Sequence, residues 1–253
     1  MEPIANAFKA ALATGEMQYG IFVSLADPVA AEIAACSDMD WVIVDLEHAP
    51  NDMRTALSQL QATFGYDTRV VVRPYEGDQA LIKRVLDIGA QSIMVPMVDT
   101  AAQAEQIVSW ARYPLAGSRG VASARAARWG RVDGYFATAN DEVCVIAQIE
   151  SREGAANVAD IAAVDGIDAL FVGPSDMAAA LGHIGNPGHP DVQEAVLGAI
   201  SAIAAAGKPA GVYGATPEAA QRYADAGATF VMVGVDTMLL SKAINDLAAR
   251  FKE

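Results

Sequence analysis

The feature that most constrains this chain is a repeated one. Eight short apolar runs, at 20–25, 41–45, 69–73, 91–95, 143–149, 169–172, 209–213 and 229–233, alternate with longer Ala-rich stretches of helical period. Most runs are continuously apolar, as in Trp41-Val42-Ile43-Val44 and Val70-Val71-Val72. A strand that is apolar on both sides is buried on both faces, the condition of a parallel sheet covered by helices. The stretches at 28–36, 53–64, 78–88, 101–112, 154–163, 190–206, 217–226 and 237–251 read as the covering helices. Asp27 before Pro28, Thr100 before Ala101, and Thr216-Pro217-Glu218 supply helix starts. Gly89, Gly207 and Gly227 stand where left-handed caps end helices.

Eight βα units of uniform composition predict an α/β chain folded as one (β/α)8 TIM barrel over 1–253, preceded by a short amphipathic helix. A doubly wound open sheet is the competing fold, disfavoured because no strand leads into a Gly-x-Gly-x-x-Gly turn. The least regular segment, 113–134, is rich in Arg and Gly, and a loop of that length is expected to be functional or interfacial.

Charge narrows the function. With 17 Lys and Arg against 31 Asp and Glu, the net charge of −14 opposes nucleic acid, membrane surfaces and polyanions such as CoA esters. A chain that is 53% hydrophobic is not a disordered tail. Cys36 and Cys144 are too far apart for a metal cage or redox pair, so both are expected to be reduced and buried, as in a cytoplasmic protein. The N-terminus lacks the pattern of a signal peptide, and the longest charge-free helical stretch, 195–207, is too short to span a membrane.

In a TIM barrel, chemistry gathers at the C-terminal ends of the strands. Those ends carry Asp45-Leu46-Glu47-His48, Arg73, Gln148-Ile149-Glu150, Gly173-Pro174-Ser175-Asp176, Tyr213 and Asp236. Glu150 and Asp176 suit a divalent cation that keeps several waters; their alternatives are an arginine pair or, for Asp176, a helix cap. Arg73 suits an oxyanion, or else a structural pair with Asp45 or Glu47. His48, with Asp45 three residues upstream, suits an acid/base pair. His183 and His189 read as loop residues. No nucleophile elbow is present, and Lys83 sits on a helix, away from the Schiff-base position of a strand.

The run Trp41-Val-Ile-Val-Asp-Leu-Glu-His-Ala-Pro50 resembles the signature of the HpcH/HpaI aldolases, which are metal-dependent pyruvate aldolases. So, in order, do Val95-Pro96-Met97-Val98, Tyr113-Pro114 with Gly117-Ser118-Arg119-Gly120, Gln148-Ile149-Glu150-Ser151-Arg152, Gly173-Pro174-Ser175-Asp176 and Val233-Gly234-Val235-Asp236. The resemblance implies a barrel whose last helix is exchanged between protomers of a homohexamer, a dimer of trimers. It implies a divalent cation (Mg²⁺, Mn²⁺ or Co²⁺) on Glu150 and Asp176. It also implies substrate binding by Gln148 and Ser175, an enolate-steadying Arg73, and a His48–Asp45 acid/base dyad. Asp87 matches a residue contributed by a neighbouring subunit. Phe22, Tyr213, Ser118 and a short loop at 123–127 depart from the common pattern where the second substrate would sit. The expected reaction is reversible cleavage of a 4-hydroxy-2-oxo acid to pyruvate or hydroxypyruvate and an aldehyde. The alternatives are a citrate-lyase-type CoA-ester lyase and a non-catalytic oxo-acid-binding barrel.

Overall fold

The computed structural model describes residues 1, 2 and 4–252. Helix α1 (Ala7–Thr14) precedes the barrel and is capped by Asn6, whose side chain accepts from the Phe8 and Lys9 amides. The strands are β1 (Gln18–Val23), β2 (Trp41–Asp45), β3 (Arg69–Arg73), β4 (Ser92–Val95), β5 (Cys144–Ile149), β6 (Ala169–Val172), β7 (Ala210–Tyr213) and β8 (Ala228–Val235). All neighbours pair in parallel, and β1 against β8 closes the barrel. The (β/α)8 expectation therefore holds.

Between strands lie α2 (Pro28–Ala35), α3 (Met53–Ala62), α4 (Gln79–Asp87), α5 (Ala101–Ala111), α6 (Tyr135–Thr138), α7 (Arg152–Ala156), α8 (Val158–Ala162), α9 (Pro174–Ala180), α10 (Pro190–Ala205) and α11 (Pro217–Asp225), with α12 (Asp236–Lys252) last. Asp27, Thr100 and Thr216 cap α2, α5 and α11 as the sequence suggests. The loop at 113–134 holds one short 3-10 turn, Arg125–Gly130.

Several expectations shift. β1 starts two residues earlier than expected, at Gln18, and stops at Val23. The helix expected over 154–163 is broken at Asn157 into α7 and α8. Cys36 is exposed, because it follows the last turn of α2 at the surface; Cys144 is buried in the barrel interior, and burial pushes its thiol pKa up.

Strand alternation divides the apolar residues into two cores. Val44, Val72, Ile93, Val145, Leu170 and Val212 face outward against the helices, as does Val42 against Ala31 and Ala34 of α2. Trp41, Ile43, Val71, Met94, Ile146, Phe171 and Phe230 face inward, with Phe8 and Leu12 of α1 closing the N-terminal end. The interior is crowded: a side chain on Gly211 of β7 would overlap the rings of Phe230 and Phe171. Continued upward, the inward parity reaches Phe22, Asp45, Arg73, Gln148, Glu150, Gly173 and Tyr213. The apolar face of the strands thus turns polar at the C-terminal mouth.

Helix α12 is different from the other helices. It contributes no buried residue, and Met238, Leu239, Leu240, Ile244 and Leu247 remain exposed.

Candidate active site

The register of β2 and β3 sets Asp45 beside Arg73. In-register neighbours point to the same side, and the two groups meet in a bidentate pair: Nε donates to Oδ1 at 2.9 Å and Nη2 to Oδ2 at 2.8 Å. Nη1 lies 2.9 Å from Glu47 Oε2, and the guanidinium stands 4.7 Å over the Phe22 ring. Burial alone would lower the Arg73 pKa, but the Asp45 hydrogen bonds and the Asp45, Glu47 and Glu150 charges more than offset it. The pairing alternative for Arg73 is thus realised with both carboxylates, and part of its donor fork stays uncommitted.

This geometry corrects one expectation. Asp45 orients Arg73, not His48. After Asp45 the chain turns outward, held by the Glu47 amide on Asp45 Oδ1 and by Asn51 Nδ2 on the Asp45 carbonyl. His48 ends 64% exposed with its Nε2 3.7 Å from Glu47 Oε1. Glu47, read from the sequence only as a structural partner of Arg73, is also part of the mouth. Its signal was parity: it follows Asp45 by two. Burial raises its pKa, aided by the Asp45 and Asp176 charges and opposed by Arg73 and His48.

Glu150 is 2% exposed at the end of β5. Its Oε1 accepts the Met97 amide at 2.9 Å, and its Oε2 accepts Gln148 Nε2 at 2.5 Å. Met97 aims that amide from a left-handed conformation, φ 54°, which is uncommon for a side-chain-bearing residue and typical of functional sites. Gly173 gives the carboxylate its space, since a Cβ there would lie 2.7 Å from Glu150 Oε2. Burial pushes the Glu150 carboxyl up to about 7, and the Glu47 and Asp176 charges push the same way.

Asp176 and Ser175 are exposed in the first turn of α9. The cap of α9 is Gly173, so Asp176 does not serve as the cap. Phe22 and Tyr213 face each other with ring centroids 6.3 Å apart. A cavity of about 440 Å³ brings together Phe22, Asp45, His48, Arg73, Gln148, Ser175, Asp176 and Tyr213, a volume suited to a small ligand. Asp87 is elsewhere: it ends α4, which runs away from the mouth, and pairs with Arg119 at 2.8 Å. Asp236 is structural, accepting the Ser24 and Leu25 amides and so tying α12 to the end of β1.

Three carboxyl groups, Asp45, Glu47 and Glu150, thus act on one guanidinium, with exposed Asp176 at the same mouth, and buried Gln148 Oε1 has no partner among the described residues. An excess of buried negative charge is costly without a cation. Glu47, Glu150 and Asp176 do not close into a three-ligand cage. Two carboxylates with room for water and substrate fit a hard divalent cation.

A family model described as HpcH/HpaI aldolase/citrate lyase matches residues 18–243. The chain belongs to this family. It is 52% identical over 254 residues to a hydroxypyruvate/pyruvate aldolase of Pseudomonas aeruginosa, covering 100% of this chain and 95% of that one. It is 50% identical to a 2-keto-3-deoxy-L-rhamnonate aldolase of Klebsiella pneumoniae subsp. pneumoniae, covering 98% and 94%. The crystal structure of an HpcH/HpaI aldolase/citrate lyase family protein from Burkholderia cenocepacia J2315 superposes with a TM-score of 0.94 at 38% identity, covering 98% and 100%. This HpcH/HpaI family member is an enzyme of the aldolase class, a carbon–carbon lyase. Among the described residues, no helix is long and apolar enough to cross a membrane.

Proposed function

We propose that the mouth cleaves 4-hydroxy-2-oxo acids reversibly to pyruvate or hydroxypyruvate and an aldehyde, with Glu150 and Asp176 holding a divalent cation such as Mg²⁺, Mn²⁺ or Co²⁺. The observation that carries this reading is the charge imbalance around Arg73: an anionic oxo acid needs more positive charge there than one shared guanidinium provides. The cation, when bound, supplies Lewis-acid polarisation of the 2-oxo group.

The chain's own groups do the rest. The free amides in the first turn of α9, at Ser175 and Asp176, suit the substrate carboxylate. Gln148, whose Oε1 is left unpartnered, offers an acceptor for a hydroxyl of the oxo acid. Arg73, fixed by Asp45 and Glu47, meets the negative charge that develops on the 2-oxo oxygen as the C3–C4 bond breaks. His48, free to reach into the cavity, takes the proton of the 4-hydroxyl, and in synthesis the same group takes one from the pyruvate methyl. Phe22 and Tyr213 bound the aldehyde side. The exposed apolar face of α12 supports exchange of that helix within a homohexamer, in which Asp87 of a neighbouring subunit serves the mouth.

The test is deuterium exchange into the pyruvate methyl in D₂O, which requires no choice of aldehyde. Exchange with Mg²⁺ that stops under EDTA is expected. Exchange indifferent to strict chelation overturns the metal assignment, and no exchange under either condition leaves a binding protein. Calorimetric titration with CoA is expected to show no binding.

A further inference from the structure

Two of the three histidines in the chain lie outside the residues that line the cavity, in the loop joining α9 to α10. We propose that His183, His189 and Asp191 form a second cation site, selective for an imidazole-preferring divalent transition metal such as Zn²⁺ and separate from the oxygen donors of the mouth.

The loop is built to hold these side chains. The His183 amide donates to the Ala178 carbonyl at 2.7 Å, Asn186 to His183 at 2.9 Å, and His189 to Asn186 at 3.1 Å. Gln193 of α10 clamps it from outside through the Pro187 carbonyl at 2.8 Å. The two imidazoles are thereby stacked, with centroids 3.5 Å apart and planes 13° from parallel.

One carboxylate oxygen serves both rings. Asp191 Oδ2 lies 3.2 Å from His183 Nε2 and 3.7 Å from His189 Nδ1, and the three ligand atoms all fall within 4.8 Å of one another. A tetrahedral Zn²⁺ with bonds of about 2.0–2.1 Å has ligand–ligand edges of about 3.3–3.4 Å. The His183–Asp191 separation is close to that edge and the His189–Asp191 separation is longer by a few tenths of an ångström, so a small closure brings the three together and water completes the fourth position.

Binding requires a small rearrangement. The in-plane lone pairs of parallel rings do not converge, so one ring must turn, and His189 Nδ1 must release the Asp191 amide, a long bond at 3.2 Å. Both rings are partly exposed, at 27% and 32%, which permits the rotation and metal entry. Nitrogen donors separate this site chemically from Glu150 and Asp176: two imidazoles favour Zn²⁺, Ni²⁺ or Cu²⁺ and are poor ligands for Mg²⁺. Occupancy would brace the segment that follows α9, the helix carrying Ser175 and Asp176.

The test is calorimetric titration of the full chain with Zn²⁺ under saturating Mg²⁺, which keeps the oxygen site filled. The expected result is about one Mg²⁺-resistant Zn²⁺ equivalent per chain, accompanied by a rise in Tm. That uptake should persist in Glu150→Gln/Asp176→Asn and disappear, with the Tm rise, in His183→Asn/His189→Asn. Equal Zn²⁺ uptake by the histidine variant, or no Mg²⁺-resistant uptake by the unsubstituted chain, overturns the proposal. Co²⁺ added to the unsubstituted protein under the same Mg²⁺ gives a reading independent of variant folding: a strong visible band from a tetrahedral, imidazole-bound ion is expected, and its absence also overturns the site.

Discussion

The two ends of the barrel are both polar, but their charges are answered differently: by backbone carbonyls at one end and by a single arginine at the other. At the N-terminal end three arginines lie close to the strand starts. Arg69 donates to Gln18 Oε1 at 3.1 Å, and Arg125 to the Ile88 and Leu60 carbonyls at 2.7 and 3.2 Å. Arg128 donates to the Arg125 carbonyl at 2.8 Å and stacks 4.7 Å over Phe64. Leu60 and Ile88 lie at the C-terminal ends of α3 and α4, where carbonyls lack helical partners and the helix dipole is negative. These cations therefore complete the fold. At the C-terminal mouth, three carboxyl groups act on one arginine, and two of them are held above their ordinary pKa. The lesson is that a polar strand end indicates function when like charges crowd together there without backbone groups to answer them.

The largest effect that tests this contrast is at the cation site. Glu150→Gln or Asp176→Asn should abolish aldol cleavage at any cation concentration while leaving the fold intact by circular dichroism; near-normal turnover in either would break the contrast at its centre. Next comes Arg73→Ala, for which turnover should fall by roughly 10²–10³. Arg73→Lys should rescue little, because an ammonium cannot hold Asp45 bidentately and reach Glu47. Steady-state kinetics showing wild-type rates in the lysine variant would reduce Arg73 to a simple counter-charge.

At the opposite end the signature should reverse. Arg125→Met should cost about 1.5–3 kcal/mol in denaturant unfolding, since hydrogen bonds from a charged group are lost, with kcat unchanged in the protein that remains folded. A kcat loss without a stability loss would mean that the floor also has a chemical role.

The smallest and most specific effect is on pH. The folded chain holds the Glu150 carboxyl up near 7 against an ordinary 4.5, so between those values it binds a proton that the unfolded chain has released. Stability of the cation-free protein should therefore fall as pH rises from about 4.5 through about 7. The fall should be smaller in Glu150→Gln and should flatten on adding Mg²⁺. Identical pH slopes for the two proteins in EDTA would remove burial of Glu150 as the cause.

The barrel was legible because eight short runs, most of them apolar on both sides, admit few folds, and the inward parity of Ile43, Val71 and Ile146 carries on to Asp45, Arg73 and Gln148. Pairing was less legible. Asp45 and His48 are close in sequence, but Asp45 and Arg73 are in register across two strands, and register outweighs proximity once the chain leaves β2. The Met97 amide could not be anticipated either, because its direction depends on a backbone conformation that a methionine does not announce. Cys36 was misread because an apolar helix still exposes the residue that ends it.

Position 173 contributes no functional group, yet its lack of a side chain sets where the Glu150 carboxylate lies. In a library of random substitutions it should therefore behave as intolerantly as a reacting residue, since every side chain would begin inside the volume the carboxylate fills. Variants selected for bulkier aldehydes should instead accumulate at Phe22 and Tyr213, whose rings face each other across the lining of the cavity.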